Sequence, residues 1–504
     1  MHRDTTPLPA LPPGRPLYRA ADCRAIDARA REVDGLCAAL LMARAGWAAL
    51  HAALARWPAV RHVGVLAGSG NNGGDGWVVA AQASAAGLRV DLVTLVEPSR
   101  LAGEAAEAAA AALALGLVPR RFDGHLPAGP ELWFDGIFGI GLTRPPADDA
   151  ATAIAALNAT GLPIVALDIP SGLDADTGAV ASVAVQAALT VTFICDKPGL
   201  HTGAARAHRG ELLLADLGAS EAVRSPLGAA ARLLAQADLL PHLRPRPPTA
   251  HKGANGHLLV VGGDLGLGGA ARLAAEAALR CGAGLVSLAT RPEHVASALA
   301  ARPEIMTIGV SEAGELEALL ARVDAVAIGP GLGRGPWGRA LYAAVAASGL
   351  PLIVDADALE LLAGTSRVGG ELILTPHPGE AARLLGVTVA ELEADRFAAL
   401  ARLVERHAAA VVLKGAGSLV AAPGEPPVVV AEGNAGMASG GMGDVLTGVI
   451  AGLLVQGLPA FHAAVVGAVL HASAGDEAAG AHPRGLLAAD LLAPLRALVN
   501  PARP

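Results

Sequence analysis

Each half of the chain carries a glycine-rich loop beside carboxylates, and the two loops differ in grammar. The first runs Gly68-Ser-Gly-Asn-Asn-Gly-Gly-Asp-Gly76. The second is Ser439-Gly-Gly-Met-Gly-Asp444, with Lys414-Gly-Ala-Gly-Ser418 upstream. Glycine lets backbone N–H groups approach an anion closely, and a following helix N-terminus adds its dipole. Two such cradles imply two active sites, both acting on phosphorylated small molecules.

In the first loop, Gly68-x-Gly-x-x-Gly73 follows an apolar run and has the form of a dinucleotide-binding turn. Glu97 stands where a ribose-binding acid is expected. Asn71, Asn72 and Asp75 set the loop apart. An anionic side chain beside a pyrophosphate costs energy unless a cation or a donor-rich substrate offsets it. Two more strand ends carry Asp135-Gly-Ile-Phe-Gly-Ile-Gly-Leu142 and Asp168-Ile-Pro-Ser-Gly-Leu-Asp174. Ligands of open parallel sheets sit at the carboxyl ends of strands. Asn72, Asp135 and Ser171 can then supply hard oxygen ligands to one cation. Taken singly, each aspartate reads as a turn cap. Polar residues at three successive strand ends read as a site.

In the second half, Gly440-Gly-Met-Gly-Asp444 precedes an apolar helix over Val445–Val455. Backbone N–H groups of Gly441 and Gly443 at a helix start form an anion hole for a transferring phosphoryl group. Asp444 is the natural base for a substrate hydroxyl. Three more segments converge. Thr375-Pro-His-Pro-Gly-Glu380 puts His377 and Glu380 one helical turn apart, and Glu380 can reach a magnesium ion through water. Lys414–Ser418 offers an ammonium and N–H groups to a diphosphate. Gly329-Pro-Gly-Leu-Gly333 leaves room for a bulky ligand. Taken alone, His377 reads equally as a helix cap, and Val354-Asp-Ala-Asp357 reads as a strand-end turn.

The elements that must position these residues follow from periodicity. Val60–Leu66, Arg89–Val96, Glu131–Asp135, Pro163–Asp168 and Leu189–Ile194 read as buried parallel strands, with crossover helices at Gly76–Ala86 and Ser99–Leu115. Ala21–Leu54 reads as one or two helices ahead of them. After a Pro-dense stretch, the alternation repeats at His257–Val261, Leu285–Ala289, Ala325–Ile328, Leu352–Asp355, Leu372–Leu374 and Ala410–Leu413. The fold class is α/β, with two three-layer αβα domains. The expected division is a disordered tail over 1–17, a Rossmann-like sandwich over 18–222, a linker over 223–250, and a second domain over 251–504.

The bulk numbers narrow the function. The 504 residues carry a net charge of −8 and no basic tract, which argues against a nucleic-acid groove. Apolar runs are broken by Gly, Arg or Asp, so no membrane span is expected, nor a signal peptide in the Pro-rich N-terminus. Four scattered cysteines fit a reduced cytoplasmic setting. Only three of the 38 Lys and Arg residues are lysine: Lys197, Lys252 and Lys414. In so arginine-rich a chain, they are candidates for sites needing a compact ammonium.

The first half resembles the epimerase domain of the NAD(P)H-hydrate repair enzymes. The resemblance rests on the Asn-Asn-Gly-Gly-Asp loop, the Asp135–Leu142 and Asp168–Asp174 loops, Val191-Thr-Phe193 and Lys197-Pro-Gly-Leu200. It implies that hydrated dinucleotides, NADHX and NADPHX, are interconverted between their C6 epimers. On that resemblance Asn71, Asn72, Gly73, Gly74 and Asp75, together with Gly139, Ile140, Gly141, Leu142, Thr143, Arg144 and Pro145, contact the dinucleotide. Asn72, Asp135 and Ser171 hold potassium, and Asp168 contacts substrate as the candidate acid/base.

The second half resembles the ribokinase-like family, and within it the NAD(P)H-hydrate dehydratases. The shared segments include His251-Lys-Gly-x-x-Gly-His257, Asp355-Ala-Asp-Ala-Leu359, Pro376-His-Pro-Gly-Glu380 and Gly436-Met-Ala-Ser-Gly-Gly-Met-Gly-Asp-Val-Leu446. The resemblance implies phosphorylation of the hydrate hydroxyl from ADP (the bacterial type) or ATP, then loss of phosphate. Ala270, Gly333, His377 and Asp444 would bind the hydrate. Lys414, Gly415, Ala416, Gly417, Ser418 and Gly443 would bind the nucleotide. The apolar N-terminal helices fit a homo-oligomer. Two alternatives remain at this level: a vitamin or sugar kinase fused to a nucleotide-binding sensor, and a first domain that binds without catalysis.

Overall fold

The structure is a computed structural model that describes residues 11, 13–243, 245–362 and 370–500. The chain divides into two compact units, Pro16–Ala231 and a second made mainly of Arg232–Pro504.

In the first unit seven parallel strands lie in the order Arg120–Arg121, Arg89–Thr94, His62–Ala67, Leu132–Gly136, Ile164–Leu167, Leu189–Phe193 and Glu211–Ala215. Side chains alternate between two apolar layers, as the two-residue period of a strand requires. Val63, Val65, Phe134 and Val165 pack with Leu50 of Ala38–Arg56, Trp77 and Val79 of Asn71–Ala85, and Ala109 of Gly103–Ala114. Leu66, Trp133, Ile164 and Ala166 face the other way, onto Ile154 and Leu157 of Asp148–Ala159. Strand order reverses between His62–Ala67 and Leu132–Gly136. Open α/β sheets bind ligands at such a reversal. The Gly68 and Gly136 loops both leave the sheet there. They meet so closely that a Cβ on Gly68 would lie 2.1 Å from the Ile137 carbonyl oxygen.

The second unit's sheet is parallel from Met306–Gly309 through Leu285–Thr290, His257–Val261, Ala325–Ile328, Leu352–Val354 and Leu372–Leu374 to Ala410–Leu413. Leu419–Ala421 and Val428–Val430 extend it antiparallel, and Ala231–Leu234 then pairs parallel with Val428–Val430. One face packs on helices Gly268–Arg280, Met442–Val455 and Ala460–Ala479. Gly448 and Gly452 let the first two of these touch backbone to backbone: a Cβ on Gly448 would sit 2.0 Å from the Ala274 carbonyl oxygen.

Several expectations need correction. The tail expected over 1–17 lies mostly outside the described residues, but Arg15–Leu17 is a strand with Leu17 fully buried. The expected linker over 223–250 contains the strand Ala231–Leu234 and the short helix Gln236–His242; an apolar partner strand, Val428–Val430, orders the former. Ala21–Leu54, expected as one or two helices, is two, Ala20–Val33 and Ala38–Arg56, parted at Gly35 with φ +66°. By length and composition alone Ala38–Arg56 could cross a membrane. Here it buries Leu41, Met42, Ala45, Gly46, Ala49, Leu50 and Ala53 within the unit. Both site helices begin earlier than their apolar runs, at Asn71 and Met442. Asn71 and Asn72 in one loop, and Gly443 and Asp444 in the other, therefore lie in the first helical turn, where N–H groups lack intrahelical partners, with Asp75 just beyond it.

Candidate active sites

In the first unit, helix Asn71–Ala85 puts Asn72 and Asp75 one turn apart, both buried. Neither side-chain atom of Asn72 has a hydrogen-bond partner. Burial raises the Asp75 carboxyl well above the usual range, and the charges of Asp168 and Asp27 add to it. Asp135 ends its strand fully buried. It accepts hydrogen bonds from the Ser171 amide (2.8 Å), the Ser171 hydroxyl (2.6 Å) and the Ile137 amide (3.2 Å). Burial outweighs these bonds and pushes its pKa up to about 6.

Asp168 follows the strand Ile164–Leu167 with φ +64°, a conformation rare for a side-chain-bearing residue. Its Oδ1 accepts from Lys197 Nζ at 2.5 Å, from the Thr192 hydroxyl at 3.2 Å and from the Phe193 amide at 3.3 Å. Lys197 is 1% exposed and also donates to Thr192 Oγ1 (2.7 Å) and the Phe193 carbonyl (3.2 Å). Burial alone would favour the neutral amine, yet the Asp168 charge raises the Lys197 pKa above its ordinary value. One Asp168 oxygen is thus anchored. The other, Oδ2, faces Gly139, whose Cβ would lie 3.3 Å from it and 3.3 Å from Asn72 Oδ1. Asn72, Gly139 and Asp168 therefore border one space. The Gly139–Leu142 segment is braced by Arg24, which donates to the Ile140 carbonyl at 3.0 Å. Thr143, Arg144 and Pro145 continue that loop as exposed chain. Glu97 is exposed and starts a short turn at Pro98.

The residues proposed for potassium fit a cation. Asn72 presents an unpartnered buried carbonyl oxygen, and Asp135 is a buried carboxylate with no cationic side chain against it. Both are oxygen donors of the kind a monovalent cation takes.

In the second unit, Gly441 (φ +91°) starts helix Met442–Val455 and places Asp444 in its first turn. Burial, then the charges of Asp355 and Asp357, outweigh Lys414 and push the Asp444 pKa up to about 7. Lys414 Nζ lies 2.9 Å from Asp355 Oδ1 and 3.8 Å from Glu380 Oε2. A Cβ on Gly443 would sit 3.2 Å from that ammonium. Gly415 to Ser418 form the turn beyond. It is backed by the buried Arg396 guanidinium, which donates to the Leu413 (3.3 Å) and Lys414 (3.1 Å) carbonyls.

His377 caps helix Pro378–Leu385: its Nδ1 accepts from the Gly379 amide at 3.0 Å. The ring proton therefore sits on Nε2, 3.3 Å from Glu380 Oε1. Its side chain is half exposed, and burial followed by the nearby Lys414 and Arg383 charges lowers its pKa. Glu380 returns the cap by accepting from the His377 amide at 2.8 Å, and burial raises its pKa. Among the described residues no three His, Cys, Asp or Glu side chains gather as a metal cage. The donor set suits a magnesium ion held mainly by nucleotide phosphates, with Glu380 reached through water. Ala270 and Gly333 lie on the two segments that leave the sheet at its other strand-order reversal. Gly331 there packs 3.3 Å from the Ala270 Cβ if given a side chain, and the Gly333 amide donates to Asp357 Oδ2 at 2.9 Å.

Sequence reasoning missed three residues that shape these sites. Asp355 is not a bare turn residue: it is 1% exposed, binds Lys414 and accepts from Thr447 Oγ1 at 2.7 Å. Asp357 ties down the Gly333 loop. Asp27, on the N-terminal helix, has its pKa raised to about 6 by burial and then by Asp168. The advance signals for Asp355 and Asp357 were their position at a strand end and their place in the Asp355-Ala-Asp-Ala-Leu359 segment of the resemblance.

Two parallel α/β units, each with carboxylates at a helix N-terminus and strand ends, define a two-site enzyme of phosphorylated metabolites. Family models match both: "NAD(P)H-hydrate dehydratase" over residues 258–496 and "YjeF-related protein N-terminus" over 38–199. The chain is 45% identical over 486 residues to the bifunctional NAD(P)H-hydrate repair enzyme Nnr of Coxiella burnetii, covering 96% of this chain and 99% of that one. The Escherichia coli K12 protein of the same name is 44% identical over 487 residues, covering 96% and 94%. A ribokinase-like superfamily protein from Enterococcus faecalis V583 matches the structure with a TM-score of 0.50 and 29% identity, covering 53% of this chain and 94% of that one. The chain belongs to the family of bifunctional NAD(P)H-hydrate repair enzymes.

Proposed function

We infer that the chain restores damaged NADH and NADPH in two steps. The first unit interconverts the R and S epimers of NAD(P)HX. The second dehydrates the S epimer with ADP, giving NAD(P)H, AMP and phosphate. The observation that carries the reading is Asp444. It sits among unpaired N–H groups of a helix start, beside the Lys414 ammonium, with a pKa near neutrality.

Water is a poor leaving group from a saturated ring carbon, and phosphate is a good one. Asp444 takes the proton of the C6 hydroxyl as its oxygen attacks the terminal phosphoryl of the nucleotide. The N–H groups at Gly441–Gly443 stabilise the migrating charge. The ring nitrogen then expels phosphate, and loss of the C5 proton restores the dihydropyridine. A kinase for a vitamin or sugar would instead release its phosphoester.

In the first unit Asp168 exchanges a proton with substrate through the oxygen that Lys197 leaves open. That suffices whether inversion passes through a ring-opened or an iminium species. Asn72, Asp135 and Ser171 would hold potassium, which would supply positive charge close to the bound dinucleotide. The enzyme is further read as cytoplasmic and homo-oligomeric, free of nucleic-acid and membrane partners.

One experiment tests the reading. Full-length protein is given a mixed-epimer hydrate with ADP, and separately with ATP. Absorbance of the reduced nicotinamide should return in full, with no phosphoester accumulating. Asp168→Asn should stall with one epimer left, apart from slow spontaneous exchange. A stable phosphoester product would overturn the assignment.

A further inference from the structure

We propose that Asp355 is a positioning residue for phosphoryl transfer: it clamps the Lys414 ammonium against the Met442–Val455 helix start and locks that helix in register through Thr447. The proposal rests on the reading of Asp444 as the base.

The geometry is specific. Asp355 follows the strand Leu352–Val354, and its amide donates to the Ile328 carbonyl of the neighbouring strand at 3.1 Å, so its backbone belongs to the sheet. The carboxylate is almost wholly buried, and its two oxygens have different tasks. Oδ1 holds Lys414 Nζ at 2.9 Å. Oδ2 accepts from Thr447 Oγ1 at 2.7 Å. Thr447 is fully buried and lies three residues after Asp444, so the two share a helix face. Gly443 fits into the resulting corner: its Cβ would be 3.2 Å from Lys414 Nζ and 3.7 Å from Asp355 Oδ2.

One carboxylate therefore joins the two segments that must cooperate, the lysine turn and the glycine-rich helix start. Lys414 has a four-carbon stem and rotatable donors; unclamped, its ammonium would sample many positions. A burial cost is offset because both oxygens are hydrogen-bonded and one is ion-paired. Asp355 also lends negative charge to the neighbourhood of Asp444. The charged groups facing Asp444 are Asp355 and Asp357, from the segment after Leu352–Val354, and Lys414, from the segment after Ala410–Leu413. Glu380 and His471 face Lys414, and burial keeps His471 neutral, with its pKa down at about 4.

The test compares full-length Asp355→Asn, Thr447→Val and Thr447→Ser with the parent. Asparagine keeps the shape and can still accept from Lys414. It removes the charge. Steady-state dehydration of S-NAD(P)HX with ADP is measured across pH. Asp355→Asn should lose about tenfold or more in kcat, as expected for misplacing a catalytic group, with little change in KM for the hydrate. The acid limb of its kcat/KM profile should move to lower pH, because removing a like charge eases ionisation of Asp444. Thr447→Val should lower kcat without moving that limb, and Thr447→Ser should recover the parent rate. A purely structural role would lower Tm and leave the limb in place. An unshifted limb, or a parent-like kcat in Asp355→Asn, overturns the proposal. Asp444→Asn separates the two claims. If it stays active, the base assignment itself fails. If it is inactive while Asp355→Asn behaves as parent, only the positioning role falls.

Discussion

Replacing Lys197 by methionine should unfold the first unit at a markedly lower temperature, and the size of the loss follows from the site. Lys197 is 1% exposed and its ammonium donates to Asp168, Thr192 and Phe193. Methionine fills a similar volume but leaves the buried Asp168 carboxylate with only a hydroxyl and an amide donor. Breaking a buried ion pair from one side costs about 3–5 kcal/mol. For a unit of this size, each kcal/mol moves Tm by about 2–4 °C, so the transition should fall by roughly 6–20 °C. The loss should be level across the neutral pH range. Lys197 is a raised-pKa group, so its contribution is fully present below the ordinary lysine pKa. It fades only as pH climbs through the still higher folded value. Calorimetry of the full-length chain would follow the transition, with epimer exchange monitored by chromatography. The double variant Asp168→Asn with Lys197→Met removes both charges and should recover most of the stability, while exchange stays absent. A Lys197→Met protein within about 2 °C of the parent would refute the argument, as would a double variant no more stable than the single.

Other consequences can be checked with the same preparations. Since burial and then Asp355 push the Asp444 pKa up to about 7, kcat/KM for dehydration should decline as pH drops below that value. A profile flat into the ordinary carboxylate range would contradict it. Gly139→Ala projects a methyl group 3.3 Å from Asn72 Oδ1 and Asp168 Oδ2, so KM for epimer exchange should rise while dehydration of the S epimer is untouched. Unaltered exchange would show that substrate does not enter there. Added potassium should raise the Tm of the first unit by mass action, and Asp135→Asn should abolish that response; an equal response in both proteins would remove Asp135 from the cation site.

What the sequence by itself determined were features encoded within a few residues. Alternating apolar runs marked His257–Val261, Ala325–Ile328, Leu372–Leu374 and Ala410–Leu413 at their observed limits, because a doubly buried parallel strand must be apolar throughout. Glycine spacing before Asp75 and Asp444 marked both anion cradles, since few other residues leave backbone N–H groups so accessible, but it did not mark the helix starts, which lie earlier, at Asn71 and Met442. The short strands Leu419–Ala421 and Val428–Val430 were not anticipated; partners across the sheet define them more than their own period does. Ala231–Leu234 was hidden for the same reason, inside what read as a linker. The partnerships within the sites belong to tertiary structure alone. Lys197 meets Asp168 across 29 residues, and Asp355 meets Lys414 across 59 and Thr447 across 92. Local spacing constrains neighbours one helical turn or one strand step apart. Only the packing of separate strands and helices decides which buried carboxylate faces which cation, and hence which of them is free to move a proton.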